Sequence, residues 1–217
     1  TNYSVCFEPS KSEFFRWSNS DDIIGPTLIE ECVKFLDDNS DYILVYGKTN
    51  LIDLSGKFIN HYQDQLNLPE DTAVERFKSF LENVRLNNVL YGLIRREPLA
   101  KTSLLKNYSA SDINLVGELS LYGKFHELDN YLFSRRIHSE ACGSNVEDND
   151  KQMEFWDPLK TSHEMNVFRS YYEYYKAVSK APVDLKEKVE LYFYITHSAY
   201  WSKKRLLKDL GNYFPKR

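Results

Sequence analysis

The fold class depends on one short stretch, residues 42–46 with the sequence YILVY, which Gly47 follows directly. It is the most strand-like run of the chain. Five residues are too few for periodicity to separate a strand from a buried turn of helix. The patterns on either side therefore decide the prediction, and they are helical.

Apolar residues at helical spacing recur along most of the chain. After a break at residues 25–26, the side chains of Ile29, Cys32, Val33 and Leu36 lie on one helical face. Only 8 Gly and 7 Pro interrupt the 217 residues, which leaves room for long helices. Further helices are predicted over residues 10–17, 50–66, 69–91, 99–106, 113–122, 125–137, 158–180, 184–196 and 201–213.

These patterns predict an all-α protein, a single compact bundle of about eight to ten helices with at most one short strand-like segment near 42–46. Residues 1–217 are assigned to one helical domain. Residues 143–157 are predicted to form a mobile acidic loop, because Glu147, Asp148 and Asp150 cluster there with few apolar neighbours. The loop could instead separate two subdomains, each with a thin core.

Composition disfavours several classes of function. The net charge of −4 gives no general attraction to nucleic acid. No apolar run approaches the ~20 residues of a membrane-spanning helix, so no membrane association is expected. Cys6, Cys32 and Cys142 are far apart and odd in number, which suits a reducing compartment. We expect an intracellular protein, nuclear or cytoplasmic, with the nucleus preferred.

Common catalytic motifs are missing from the sequence. It has no glycine-rich phosphate loop, no dinucleotide fingerprint and no nucleophile elbow. His163 and Glu164 lack the second histidine of the zinc-protease helix motif. Ser103 and Lys106 match the pattern Ser-x-x-Lys, which is too short to be specific. The chain is therefore predicted not to be an enzyme, and a catalytic site built from distant residues ranks third among its functions.

One pair of residues suggests a metal site. His138 and Cys142 are four positions apart, which on a helix places both side chains on one face. Both suit zinc, but a structural zinc site needs four ligands, so other residues or a partner chain would have to complete it. The alternative is a buried, hydrophobic Cys142 and a His138 placed near a helix C-terminus by the helix dipole. No cofactor other than this zinc is predicted.

The aromatic residues are too numerous for one helical face to bury. Residues 171–175 read YYEYY, and consecutive helical residues point about 100° apart. Tyr and Trp are enriched at protein interfaces, although a thick stack of helices could also use them between layers. The predicted partner-binding residues are Tyr171, Tyr174, Tyr175, Tyr194, Tyr200 and Trp201, with Phe14, Phe15 and Trp17 as a second patch.

These observations favour a non-catalytic protein-interaction module, which is an adaptor, scaffold or dimerisation domain. It would bind a short helical or extended segment in an aromatic-lined groove and form homo- or hetero-oligomers. Docking domains of nuclear and chromosomal complexes, including telomere complexes, belong to this class, although no motif selects them here. The first alternative is nucleic-acid binding through the basic groups at 95–96, 135–136, 203–205 and 216–217.

Overall fold

The computed structural model describes residues 6–137 and 165–213, and its fold is α/β. Within these residues, six strands form one mixed sheet that curls into a half-barrel. The all-α, helical-bundle prediction is therefore wrong. The strands are β1 (Phe14–Phe15), β2 (Ile23–Ile24), β3 (Tyr42–Ile52), β4 (Phe58–Tyr62), β5 (Leu93–Arg95) and β6 (Lys124–Arg136).

Strand β3 is the centre of the sheet, and YILVY is its first half. The strand order is β1-β5-β3-β6-β2, and β4 also pairs with β3. The β3–β6 pairing is parallel, whereas β3 pairs antiparallel with β4 and β5. Leu44 packs in one hydrophobic cluster and Val45 in another, on opposite faces. A strand buried on both faces reads as a continuous apolar run, which explains why YILVY shows no alternation.

Helices cover both faces of the sheet. Helix α1 packs on one face through Leu28, Cys32 and Leu36, and a larger core unites the other face with helices α2, α4, α5 and α6. None of the described helices is both long and apolar enough to cross a bilayer. The helices are α1 (Leu28–Asp38), α2 (Ala73–Asn83), α3 (Arg96–Lys101), α4 (Ser111–Ser120), α5 (Asn166–Lys180), α6 (Leu185–Trp201) and α7 (Lys203–Tyr213).

The segment predicted as a helix over 125–137 is strand β6. Its buried side chains include Phe125, Leu128 and Leu132, at separations of three and four residues. The pairing with β3 moves from Leu128 directly to Tyr131, so two residues bulge out of the ladder. The bulge separates Leu128 and Leu132, which share a face of the sheet, by four residues, whereas Phe125 packs in the cluster on the opposite face. Together these positions give a spacing that resembles one helical face.

The segment predicted as a helix over 50–66 contains the end of β3, a tight turn and β4. Asp53 Oδ1 accepts hydrogen bonds from the main-chain N–H of Ser55 at 2.8 Å and of Lys57 at 2.9 Å. Gly56 has a φ of 86°, which is accessible to glycine without strain. Leu54 and Phe58, which lie in the predicted helix four residues apart, are exposed in this hairpin.

The predicted aromatic helix after Ser10 is likewise replaced by extended chain. The Ser12 hydroxyl donates to the Phe14 carbonyl at 2.7 Å, and Phe14 begins strand β1. This hydroxyl bonds the adjacent main chain and so does not cap a helix. The predicted acidic loop at 143–157 lies outside the described residues.

A glycine sets how closely the helices of the larger core approach one another. Gly117 of α4 lies against Phe80 of α2 and Tyr174 of α5. A Cβ atom at position 117 would come within 2.6 Å of the Phe80 ring and 2.9 Å of the Tyr174 ring. This close contact positions α5, on which helix α6 then packs.

Candidate protein-binding surface

Helix α6 forms the outer part of the helical layer. Asp184 Oδ1 accepts from the main-chain N–H of Glu187 at 2.8 Å, and the Glu187 carboxylate accepts from the N–H of Asp184 at 3.0 Å. This reciprocal capping box fixes the start of the helix, as residues 184–187 predict. On the inner face, Leu191 and Ile195 are fully buried in the larger core. Their burial orients the rest of α6 toward solvent.

The opposite face of α6 is also apolar. Leu185, Val189, Phe193 and Tyr200 have exposed fractions between 60% and 78%, and Thr196 between them is exposed as well. We call these five residues the outer stripe. Their separations of four, four, three and four residues place them on one helical face. A soluble helix usually keeps polar residues on its solvent face, so the outer stripe is an exception.

Polar contacts hold α6 on both sides of the outer stripe. On one side, Lys78 Nζ lies 2.6 Å from Glu190 Oε1. The Tyr194 hydroxyl donates to Glu82 Oε1 at 2.6 Å on the same side. These bonds connect α6 to α2.

On the other side of the stripe, the Tyr175 hydroxyl of α5 lies 2.7 Å from Thr196 Oγ1. The rings of Tyr175 and Tyr192 stack with centroids 5.7 Å apart. The outer stripe is therefore presented by a helix that is fixed to both of its neighbours.

Aromatic side chains cluster at the C-terminal end of the stripe. Trp201, 72% exposed, donates from Nε1 to His197 Nε2 at 3.0 Å. Lys203 Nζ lies 4.6 Å from the centroid of the Tyr200 ring, a cation–π contact. The rings are thus held in place while most of their surface stays accessible.

Helix α7 extends the chain beyond this end and packs against α5. Asp209 of α7 is buried, and its Oδ2 accepts from the N–H groups of Val167 at 2.9 Å and Phe168 at 3.3 Å. A carboxylate at these N–H groups stabilises the start of α5. The same contact holds α7 against the helical layer.

The nine predicted partner-binding residues lie in different environments. Trp17 and Tyr174 are buried in the larger core. Phe14, Phe15, Tyr171, Tyr175 and Tyr194 are half-buried, while Tyr200 and Trp201 are exposed. Of the nine, Tyr200 belongs to the outer stripe, Trp201 follows it on the same helix, and Tyr175 contacts it through Thr196.

Leu185, Val189 and Phe193 were missing from the predicted surface. Residues 185, 189 and 193 appear in the sequence as an apolar stripe at helical spacing, a pattern that is typical of a buried helix face. Leu191 and Ile195 form a second stripe on the same helix, and these two residues face the core. Two apolar stripes on one helix are the sequence signal that could have identified this surface.

Most predicted basic groups in the described sheet region are engaged within the protein. Arg95, Arg96, Arg135 and Arg136 each donate to a main-chain carbonyl oxygen at 2.7–2.9 Å. Lys203, Lys204 and Arg205 on α7 are exposed. A guanidinium that holds loops together has fewer donors left for phosphate, which keeps the nucleic-acid alternative second.

One buried carboxylate has the perturbed pKa that catalytic groups often show. Asp64 accepts from Thr49 Oγ1 at 3.0 Å, from the N–H of Asn88 at 3.1 Å and from Asn88 Nδ2 at 3.3 Å. Burial raises its pKa to about 6 despite these bonds. These hydrogen bonds connect the segment after β4 to β3. Because Asp64 is only 2% exposed, its carboxylate is not accessible to a substrate.

The Ser-x-x-Lys pair does not form a nucleophile–base pair. Ser103 faces Glu118, whose carboxylate accepts from the Ser103 N–H at 2.9 Å. Lys106 Nζ instead lies 2.8 Å from Glu173 Oε2. Ser103 and Lys106 therefore bind two different carboxylates, and these contacts fix the loop before α4.

The possible zinc ligands His138 and Cys142 lie outside the described residues. Within the described ranges, no group of three or more His, Cys, Asp or Glu side chains is placed to bind one metal ion. The zinc hypothesis therefore stays a prediction.

Comparison with known proteins adds no further information. No family model matches the chain, and no curated protein matches it either.

Proposed function

We propose that this chain is a non-catalytic protein-interaction module, an adaptor, scaffold or dimerisation domain, that binds protein through the outer face of helix α6. The observation that carries the proposal is the outer stripe, which places four large apolar side chains on one exposed face. Burying each such side chain contributes about 1.5–3 kcal/mol to association. The bound segment would be helical or extended, with its apolar side chains against the stripe.

The rigidity of the surface supports the proposal. Helix α6 is capped, anchored by Leu191 and Ile195, and bonded to α2 and α5. A fixed binding helix loses little conformational entropy when a partner docks. The exposed aromatic pair Tyr200 and Trp201 supplies the residue types that dominate interface energetics.

The proposed compartment is intracellular, with the nucleus preferred. Cys6 and Cys32 are free thiols, and burial raises the pKa of Cys32 to about 12, which keeps it in the unreactive thiol form. Free thiols suit a reducing compartment. Membership of a nuclear or chromosomal complex stays a prediction.

Affinity capture with matched variants tests the proposal. Immobilised wild-type chain, a Leu185→Glu and Phe193→Glu double variant, and a Leu54→Glu control are compared for the proteins they bind, including added copies of the chain itself. Leu54 lies in the β3–β4 turn and is 71% exposed, so its substitution adds a single carboxylate at a distant site. We expect the control to bind like the wild type and the double variant to bind nothing. Equal binding by all three would disprove the proposal.

A further inference from the structure

We propose that the occupant of the outer stripe is the same stripe on a second copy of this chain, packed antiparallel about a two-fold axis near Phe193. The inference rests on the proposed function, because it names the partner of that surface. Two-fold pairing of identical surfaces is the most common form of protein self-association.

The spacing within the stripe fits the packing of two helices side by side. From Val189, the positions of the outer stripe follow at 193, 196 and 200, with separations of four, three and four residues. This alternation is the repeat that lets side chains of one helix fill the spaces of another. Phe193, 75% exposed, lies at the middle of α6, so each Phe193 would pack against its counterpart.

The two ends of the stripe differ in chemistry, and the difference selects the antiparallel direction. The N-terminal end carries the aliphatic side chains of Leu185 and Val189. The C-terminal end carries the aromatic rings of Tyr200 and Trp201. Antiparallel packing places aliphatic side chains on aromatic rings at both ends, whereas parallel packing would place Tyr200 against Tyr200.

Charge selects the same direction. The first turns of α6 and its cap carry three acids and two bases, and the three residues that follow Ser202 are all basic. Glu190 already pairs with Lys78 of its own chain, so Asp184 and Glu187 are the acids that an antiparallel pair brings near the basic end of the other helix. The antiparallel direction also keeps the two basic ends apart and aligns the helix dipoles favourably. A parallel pair would bring the basic ends together. The acids are Asp184, Glu187 and Glu190, and the bases at the far end are Lys203, Lys204 and Arg205.

The exposed area is sufficient for a stable dimer. The four large side chains of the stripe and Trp201 together expose on the order of 800 Å² in each copy, given the area of aromatic and aliphatic side chains. A standard specific interface buries about 800 Å² per partner. The exposed area of these side chains is therefore of the order that a specific dimer interface buries.

Sedimentation velocity over a range of concentrations tests self-association. We expect the wild type to sediment at twice the 25.6 kDa chain mass, and the Phe193→Glu variant to associate at least about 100-fold more weakly, because two carboxylates would meet at the axis. The Leu54→Glu control should stay dimeric. Circular dichroism should show that Phe193→Glu is folded, since the replaced side chain contributes little to the core.

Cross-linking tests the direction of packing. In a Cys6→Ser and Cys142→Ser background, cysteines are placed on α6 and joined by a bismaleimide that spans the about 8–10 Å between packed helices. Phe193→Cys alone should cross-link. Leu185→Cys alone should not, because two copies of position 185 would lie about 24 Å apart along the axes. Adding Tyr200→Cys to Leu185→Cys should restore the cross-link, because both positions face the partner and lie at nearly the same level along the paired axes.

Other results separate this inference from the proposed function. A wild-type chain that is monomeric at every concentration overturns the inference. The proposed function still holds if that monomer captures a different protein through the stripe, and it fails too if changes in the stripe alter no binding. Efficient cross-linking of Leu185→Cys alone would show a parallel pair and overturn the antiparallel arrangement.

Discussion

Two buried carboxylates, one in each half of the molecule, are stabilised in different ways. Asp64 in the sheet half accepts hydrogen bonds only from the neutral donors of Thr49 and Asn88, among the contacts of the described residues. Glu173 in the helical half lies 2.8 Å from Lys106 Nζ and 2.9 Å from Arg169 Nε. Both side chains are almost completely removed from solvent.

The pKa values of the two groups move in opposite directions. Burial raises the pKa of Asp64 to about 6, and its three hydrogen bonds offset that effect only in part. Burial alone would also raise the pKa of Glu173, but the hydrogen bond and charge of Lys106 hold this pKa below its ordinary value. Neutral donors thus compensate less for the burial of a charge than cations do.

The largest effect is expected from Asp64→Ala. The main-chain N–H of Asn88 and the hydroxyl of Thr49 would lose their acceptor while buried, so the free energy of unfolding should fall by about 3 kcal/mol. Urea unfolding at pH 5, where Asp64 is mostly protonated, measures this loss without the cost of a buried charge. The control Asp129→Ala removes a fully exposed carboxylate and should leave the curve unchanged. A loss no larger than in the control would contradict the structural role of Asp64.

A smaller effect is the pH dependence that Asp64 causes. Its pKa in the folded state, about 6, is above the ordinary 3.8, so the folded protein holds the proton more tightly than the unfolded chain. The stabilisation is present at low pH and is lost as pH rises through 6, by about 2 kcal/mol between pH 4.5 and 7.5. The free energies of unfolding of wild type and Asp64→Asn, measured in urea across this range, should converge or cross, and their difference should change by that amount. A constant difference between the two proteins would contradict the raised pKa.

The smallest effect is expected from Lys106→Met. Glu173 would keep only Arg169, which is half exposed, and the free energy of unfolding at pH 7 should fall by about 1 kcal/mol. Because the pKa of Glu173 is held low by Lys106, this contribution should be lost as pH falls below the ordinary value of 4.5. Lys48→Met is a matched control, since the Lys48 side chain is 29% exposed against 28% for Lys106 but pairs with an exposed acid. Equal effects of the two variants would show that burial of Glu173 does not matter.

Much of the helical half could be predicted from the sequence. Asp184 and Glu187 form the capping box that their spacing indicates, and α1 occupies the segment that Cys32 and Leu36 predict. The orientation of α6 could not be predicted, because a helix with two apolar faces has no polar face to mark solvent. The candidate surface therefore became visible only when Leu191 and Ile195 were placed in the core.

The sheet half could not be predicted from local patterns. Leu128 and Leu132 owe their helix-like spacing to a bulge, which depends on the partner strand β3. Exposed apolar residues in the β3–β4 hairpin, such as Leu54 and Phe58, removed the alternation that identifies a half-buried strand. Both effects depend on contacts between distant segments, which the spacing within one segment does not encode.

The parallel pairing of β3 with β6 also has a consequence for how the chain reaches its fold. The Tyr46 hydroxyl donates to Glu127 across 81 residues of chain, so the central strands meet only after a long loop closes. Folds dominated by such distant pairings form slowly compared with helical bundles. During synthesis, the apolar strand β3 leaves the ribosome well before β6 exists to pair with it. The nascent chain therefore carries an unpaired apolar strand edge for that interval, and such an edge favours aggregation until β6 pairs with it.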